Sequence, residues 1–375
     1  MAGKEQQHDN LEISCDWAGS AWQDESTFHQ LAPYIGKVKS SMARSLISQF
    51  SSEGDVVFDP FAGCGTFALE AWSARRHVIA NDLSPYATVL TRAKLFPYES
   101  LRAAQLDLER LAKPARLGAE AIDLRSVPQW VRKFFHPETL RETLAWSRLL
   151  ARKRKWFLLA CLLGILHHQR PGFLSFPSSH TVPYLRTHKF PRSSFADLYT
   201  YRAVHERLAA KVIRAFRRVP RLDFAIRREC SEQHAERLRF NRTVDAIISS
   251  PPYMRQLDYG RDNRLRLWFL GCSDWRGLDG LVSPREESFL TLMRDCFRRW
   301  RTALKAGGYC VLIVGDACSR LDERNLPDVV MDVARRVGGY DVIAQYKDLI
   351  PNERRVRRGI TGSVSETVLV LRRTT

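Results

Sequence analysis

The 375-residue chain is long enough to bury a full core, and its 45% hydrophobic and 27% charged residues exclude a disordered or fibrous protein. Lys and Arg number 59 against 41 Asp and Glu, a net charge of +18 that favours polyanionic partners through counterion release, as in DNA-binding proteins, nucleases, ribosomal proteins and some membrane-surface proteins. The eight cysteines form no CxxC pair or Cys/His ladder, and neither the polar N-terminus nor the apolar run Trp156 to Leu166 suits export or a bilayer. These features predict a reduced, cytoplasmic protein without a metal site or disulfide framework.

In chain order, a helix is expected from Ser40 to Phe50, then an apolar run at 56–60 (VVFDP), a helical pattern at 67–76 and a second apolar run at 77–83 (HVIANDL). Residues 96–221 follow, far too many for one crossover, and their periodicity is mostly helical. Their interior break at 170–192 is rich in Pro, Ser, His and basic residues, which is loop chemistry. Further apolar runs stand at 224–230, 246–253, 307–316, 340–350 and 366–373, with helical patterns at 286–307 and 326–339. Continuous β-branched runs alternating with helices predict a doubly wound α/β sheet. The last two runs, with no helical pattern between them, predict a terminal hairpin and one antiparallel strand. The expected divisions are 1–95 and 222–375, forming one sheet, and a helical insertion at 96–221.

DPFAGCGT (59–66) stands where a strand hands over to a helix. Gly63 and Gly65 let the backbone turn sharply and approach a ligand, and the following helix offers free N–H groups. Asp82 ends the next strand, where a carboxylate can accept from ribose hydroxyls. Taken alone, Gly63-x-Gly65-x-x-Ala68 with Asp82 also fits a dinucleotide fingerprint or a plain strand-turn-helix connection. Asp59 ahead of the turn argues otherwise. It can meet the amino group of a cofactor with an amino-acid tail, whereas a pyrophosphate gains nothing from an acid there.

DPFxGxGT followed by NDLSP (81–85) resembles the S-adenosylmethionine-dependent amino-methyltransferases that act on DNA. The resemblance implies the class I methyltransferase fold, a Rossmann-like seven-stranded sheet with a terminal antiparallel hairpin, and S-adenosylmethionine as cofactor. It places Asp59, Pro60, Phe61, Ala62, Gly63, Gly65 and Thr66 along the methionine side of the cofactor and Asp82 at the ribose. HQLAPYIGKV (29–38) is similar to the family's N-terminal cofactor segment, with His29, Tyr34 and Lys37 as candidates, or is a plain helix lead-in. Glu232 is the nearest candidate for the acid expected after the third strand.

Ser250-Pro251-Pro252-Tyr253 follows a later strand, as a catalytic loop does. An exocyclic amine conjugated to a base ring is a poor nucleophile unless its hydrogens are held aside. The Ser250 hydroxyl and the Pro251 carbonyl supply two acceptors, Pro252 stiffens the loop, and Tyr253 offers a face on which a flipped base stacks. The same four residues are also compatible with an ordinary Pro-Pro turn. No Pro-Cys pair occurs, which disfavours carbon-5 chemistry on cytosine. By the family's pattern Ser250 points to cytosine N4, while the glycine loop preceding SPPY is more typical of adenine-N6 enzymes.

DNA is the expected partner, with the insertion as target-recognition region and a cognate restriction enzyme as a second partner. Candidate contacts are His180, Tyr184 and Arg186 in the insertion loop, Arg354, Arg355, Arg357 and Arg358 between the last two strands, and Asp258 and Tyr259 beside the base; each run can equally be a solvated face. The alternatives are an RNA amino-methyltransferase and a catalytically inert DNA-binding relative.

Overall fold

The computed structural model describes residues 14, 17, 25–180, 182–252, 257–317, 319, 323–350 and 365–374. The N-terminal part contains α1 (Ser40–Phe50), β1 (Val56–Asp59), α2 (Thr66–Ser73), β2 (His77–Asn81) and α3 (Pro85–Leu95). The insertion supplies α4 (Leu101–Glu120), α5 (Gln129–Arg132), α6 (Pro137–Arg152), α7 (Trp156–Gly164) and α8 (Val204–Ala215). The chain then returns to the sheet through β3 (Arg228–Ser231), β4 (Val244–Ser249), α9 (Tyr259–Phe269), α10 (Trp275–Val282), α11 (Glu286–Ala303), β5 (Leu304–Gly315), α12 (Leu326–Val337), β6 (Tyr340–Leu349) and β7 (Ser365–Arg373).

The strands form a seven-stranded sheet in the order β3-β2-β1-β4-β5-β7-β6. β3, β2, β1, β4 and β5 pair in parallel, while β7 runs antiparallel to β5 and β6. This is the class I methyltransferase sheet, with the predicted terminal hairpin. Apolar side chains fill both faces: Leu46, Trp72, Ile248 and Val370 belong to one core, and Phe58, Ile247, Trp300 and Leu369 to the other. The first core continues without interruption into α4, α6, α7 and α8 of the insertion.

The chain reverses direction across the sheet between β1 and β4, the topological switch point at which open α/β sheets bind ligands. Phe58 lies in register with Ile247, so the loops leaving the carboxyl ends of β1 and β4 emerge side by side.

Three element boundaries differ from the sequence reading. The helix expected to reach 307 stops at Ala303, because Leu304 already pairs with Val244 and Lys305 binds Asp245 at the end of the ladder. The third strand is short and begins at Arg228, since the turn at 223–226 occupies its expected start. The helical pattern leading into the apolar run Trp156 to Leu166 breaks between α6 and α7, where Arg154 takes a positive φ of 54°. No helix among the described residues is long and apolar enough to cross a membrane.

Candidate active site

A cleft of about 390 Å³ opens at the switch point, lined by both loops, by the segment around Tyr34, and by the turn after β3 with α11 opposite. Its floor is the glycine loop. Gly63 and Gly65 have φ of +52° and +74°, where an L side chain is strained. A Cβ on Gly65 would come within 2.8–2.9 Å of Thr91 Oγ1 and Cα on α3, and one on Gly63 within 3.3 Å of the Tyr34 ring. These two glycines therefore let α3 pack beneath the loop and Tyr34 lie over it. The loop is pinned further by Thr91 Oγ1 donating to the Gly63 carbonyl (3.1 Å) and by the Ala62 amide donating to the Asn81 carbonyl (2.8 Å). The N-cap of α2 is Gly65, which has no side chain to cap the amino end of the helix.

Asp59 lies buried beneath Pro60–Gly63. One carboxylate oxygen accepts from the Ser249 hydroxyl at 2.6 Å, and the other, Oδ2, has no hydrogen-bond partner among the described residues. Burial pushes its pKa up to about 7, with the nearby Asp82 adding to the rise and the Ser249 hydroxyl opposing it. Asp82 faces the cleft and accepts from the Gly63 amide through Oδ2 and the Ser84 amide through Oδ1, both at 2.8 Å. Burial raises it to about 6 against those two bonds. Asp59 does not itself line the cleft but lies one residue behind the lining Pro60, and its buried Oδ2, without a donor among the described residues, suits a cationic amino group that reaches it. The residues present therefore fit S-adenosylmethionine.

Two residues that hold the cleft's loops in place, Asn81 on its wall and Ser249 behind it, were not among the expected site residues. Asn81 donates from its side chain to the Pro60 and Gln233 carbonyls at 3.2 and 2.9 Å and accepts from the Gln233 amide and Ser231 hydroxyl. It thereby ties the β1 loop to the turn after β3. Ser249 joins β4 to Asp59 and accepts from the Phe61 amide at 3.2 Å. Asn81 opens NDLSP (81–85) and Ser249 stands directly before Ser250-Pro251-Pro252-Tyr253, and the doubled serine was the available signal.

Ser250 and Pro252 line the cleft opposite the glycine loop, with Pro251 buried behind them. The Ser250 hydroxyl donates to the Ile313 carbonyl of β5 at 3.2 Å. Tyr253 lies outside the described residues. Tyr34 and Tyr259 both reach the cleft and stack with ring centroids 6.0 Å apart. Lys37 also lines it and pairs with Glu25 at 2.8 Å.

Other expected positions fall elsewhere. His29 does not face the cleft; it is buried against Glu70 (2.7 Å) and Lys94 (3.5 Å), and burial and Lys94 lower its pKa to about 4. Glu232 is exposed and off the cleft wall, where Gln233, His234 and Ala235 take its place. Asp258 pairs with Arg261 at 2.5 Å at the start of α9, away from the lining. His180, Tyr184 and Arg186 sit in the insertion loop, tied to α9 by Arg266 donating to the His180 carbonyl (3.3 Å), and none of the three lines the cleft. Arg354, Arg355, Arg357 and Arg358 lie outside the described residues. No cluster of potential metal ligands occurs among the described residues.

Residues 4–91 match the N6/N4 methyltransferase family model described as DNA methylase. The chain is similar to the type II methyltransferase M.MjaII of Methanocaldococcus jannaschii, with 24% identity over 125 residues, which are 33% of this chain and 24% of that one. The match thus spans about a quarter of that curated relative. Among solved structures, TrmN from Thermus thermophilus is similar over 92% of this chain and 52% of its own, with 16% identity and a TM-score of 0.36. The rRNA methyltransferase aviRa from Streptomyces viridochromogenes is similar over 91% of this chain and 87% of its own, with 11% identity and a TM-score of 0.32.

Proposed function

We propose that the chain is an S-adenosylmethionine-dependent methyltransferase acting on an exocyclic amino group of a DNA base, with cytosine N4 as the first target. The observation that carries this reading is the emergence of the Asp59–Thr66 loop and the Ser250-Pro251-Pro252 loop side by side at the switch point, lining one cleft. The family match over residues 4–91 supports the cofactor half. A cytoplasmic enzyme partnered with a restriction nuclease fits the similarity to a type II methyltransferase.

In this reading Asp59 Oδ2 receives the cofactor's ammonium, Asp82 its ribose, and Tyr34 closes over the methionine portion. Bound S-adenosylmethionine supplies an electrophilic methyl group on its sulfonium. The chain's own contribution is orientation. The Ser250 hydroxyl, its hydrogen committed to Ile313, accepts one N–H of the target amine, and the Pro251 carbonyl accepts the other. The nitrogen lone pair is thereby aimed for in-line displacement, in which the N–C bond would form as the methyl–sulfur bond breaks to leave a neutral thioether, and the methylated amine would then release its extra proton to solvent. Tyr253 stacks the flipped base. A second reading, adenine N6, is favoured by the glycine loop preceding the catalytic loop with a large insertion between them.

The test is incubation with labelled S-adenosylmethionine and duplex DNA or total RNA, followed by digestion and mass spectrometry of nucleosides. N4-methylcytosine in DNA is the expected product. N6-methyladenine moves the assignment to the second reading, label confined to RNA overturns the DNA target, and DNA binding without transfer leaves an inert relative.

A further inference from the structure

Ser249, the first residue of the serine pair, touches neither the cleft nor solvent, yet it carries one buried and one partly buried hydrogen bond to residues 190 and 188 positions away in sequence. Its hydroxyl donates to Asp59 Oδ1 at 2.6 Å and accepts from the Phe61 amide at 3.2 Å. One side chain thus fixes both the acid at the end of β1 and the first peptide of the glycine loop, from the strand that delivers the catalytic serine. Because Oδ1 is occupied by Ser249, Oδ2 is the oxygen left open.

We infer that Ser249 is a positioning residue for the cofactor, holding Asp59 as a carboxylate with Oδ2 presented to the ligand's ammonium. The inference rests on the proposed cofactor reading. A short bond from a hydroxyl to an ionised carboxylate is among the stronger hydrogen bonds, and here it opposes the burial that favours the neutral acid. Of the charges on neighbouring elements, Asp82 from the β2 loop bears on Asp59 and also disfavours its ionisation. Glu70, His29 and Arg44 around α2 pair with one another, and Lys37 pairs with Glu25. Ser249 is therefore the main group that sustains the charged form before the ligand arrives, with a smaller contribution from the Phe61 amide.

The experiment is calorimetric titration of S-adenosylmethionine into wild type, Ser249→Ala, Ser249→Thr and Asp59→Asn across pH 5.5–9, with a thermal melt of each. Wild type should bind, with affinity falling below about pH 7. Ser249→Ala should bind roughly tenfold or more weakly at neutral pH, from the loss of a hydrogen bond to a charged group. Its pH midpoint should move upward, its deficit should shrink at the alkaline end, and Ser249→Thr should restore the wild-type profile. A general packing defect would weaken binding equally at every pH. A wild-type midpoint in folded Ser249→Ala overturns the inference, as does failure of a folded Ser249→Thr to restore it when the alanine variant does not fold. Wild type that binds no S-adenosylmethionine overturns the cofactor reading itself.

Discussion

Two buried carboxylates carry the site's response to pH. Asp59 and Asp82 titrate in the folded protein near 7 and 6, both above the ordinary aspartate value because burial disfavours their charge. A carboxyl whose folded pKa is raised stabilises the fold below its unfolded pKa, and that contribution is lost as pH rises through the folded value. The ligand-free protein should therefore lose thermal stability between about pH 4 and 7 from these two groups. A cationic ligand reverses the preference by favouring the carboxylates, so stabilisation by S-adenosylmethionine should grow over the same interval. Melting curves with and without cofactor at several pH values check this; a ligand-induced shift independent of pH contradicts it. Gly65→Ala gives a second residue-scale outcome. With φ at +74° and Thr91 within 3 Å of the new Cβ, it should cost about 1–3 kcal/mol and weaken cofactor binding, read by urea denaturation and titration.

Among the elements, the segment from Glu25 to Lys39 shows best what sequence could and could not give. Its motif-like resemblance identified Tyr34 and Lys37, which reach the cleft, yet it also singled out His29, which is sealed into a buried hydrogen-bonded cluster with Glu70 and Lys94. Partners 41 and 65 residues away decide that difference, and no local pattern reports them. The same segment lies so close to α7 that a Cβ on Gly164 would stand 2.0 Å from the Leu31 carbonyl oxygen. Gly164→Ala should therefore push the segment off α7, destabilise the protein by about 2–3 kcal/mol and weaken cofactor binding through Tyr34. An unchanged denaturation midpoint and affinity would rule out that contact. Strands were legible because buried parallel strands are continuous β-branched runs. The helix ends at Ala303 and Arg152 were not, since strand pairing at Leu304 and a left-handed Arg154 overrode helical periodicity.

The whole molecule joins a sheet whose order could be anticipated from motif resemblance to an insertion whose packing could not. The insertion helices share one core with α2 and α3, so the cofactor floor and the basic helical layer form a continuous body. If the +18 charge serves duplex DNA, affinity should fall by roughly three orders of magnitude between about 50 and 200 mM salt for six phosphate contacts, whereas a salt-insensitive affinity contradicts an electrostatic footprint. The central claim is that the β1 and β4 loops together perform methyl transfer to a base amine. Single-turnover transfer of labelled methyl from S-adenosylmethionine to duplex DNA, compared between wild type and Ser250→Ala, tests it most directly. The account expects label on cytosine N4 from wild type and a rate about a hundredfold lower in the variant, with cofactor affinity retained. No transfer by wild type, or an undiminished rate in Ser250→Ala, would contradict it.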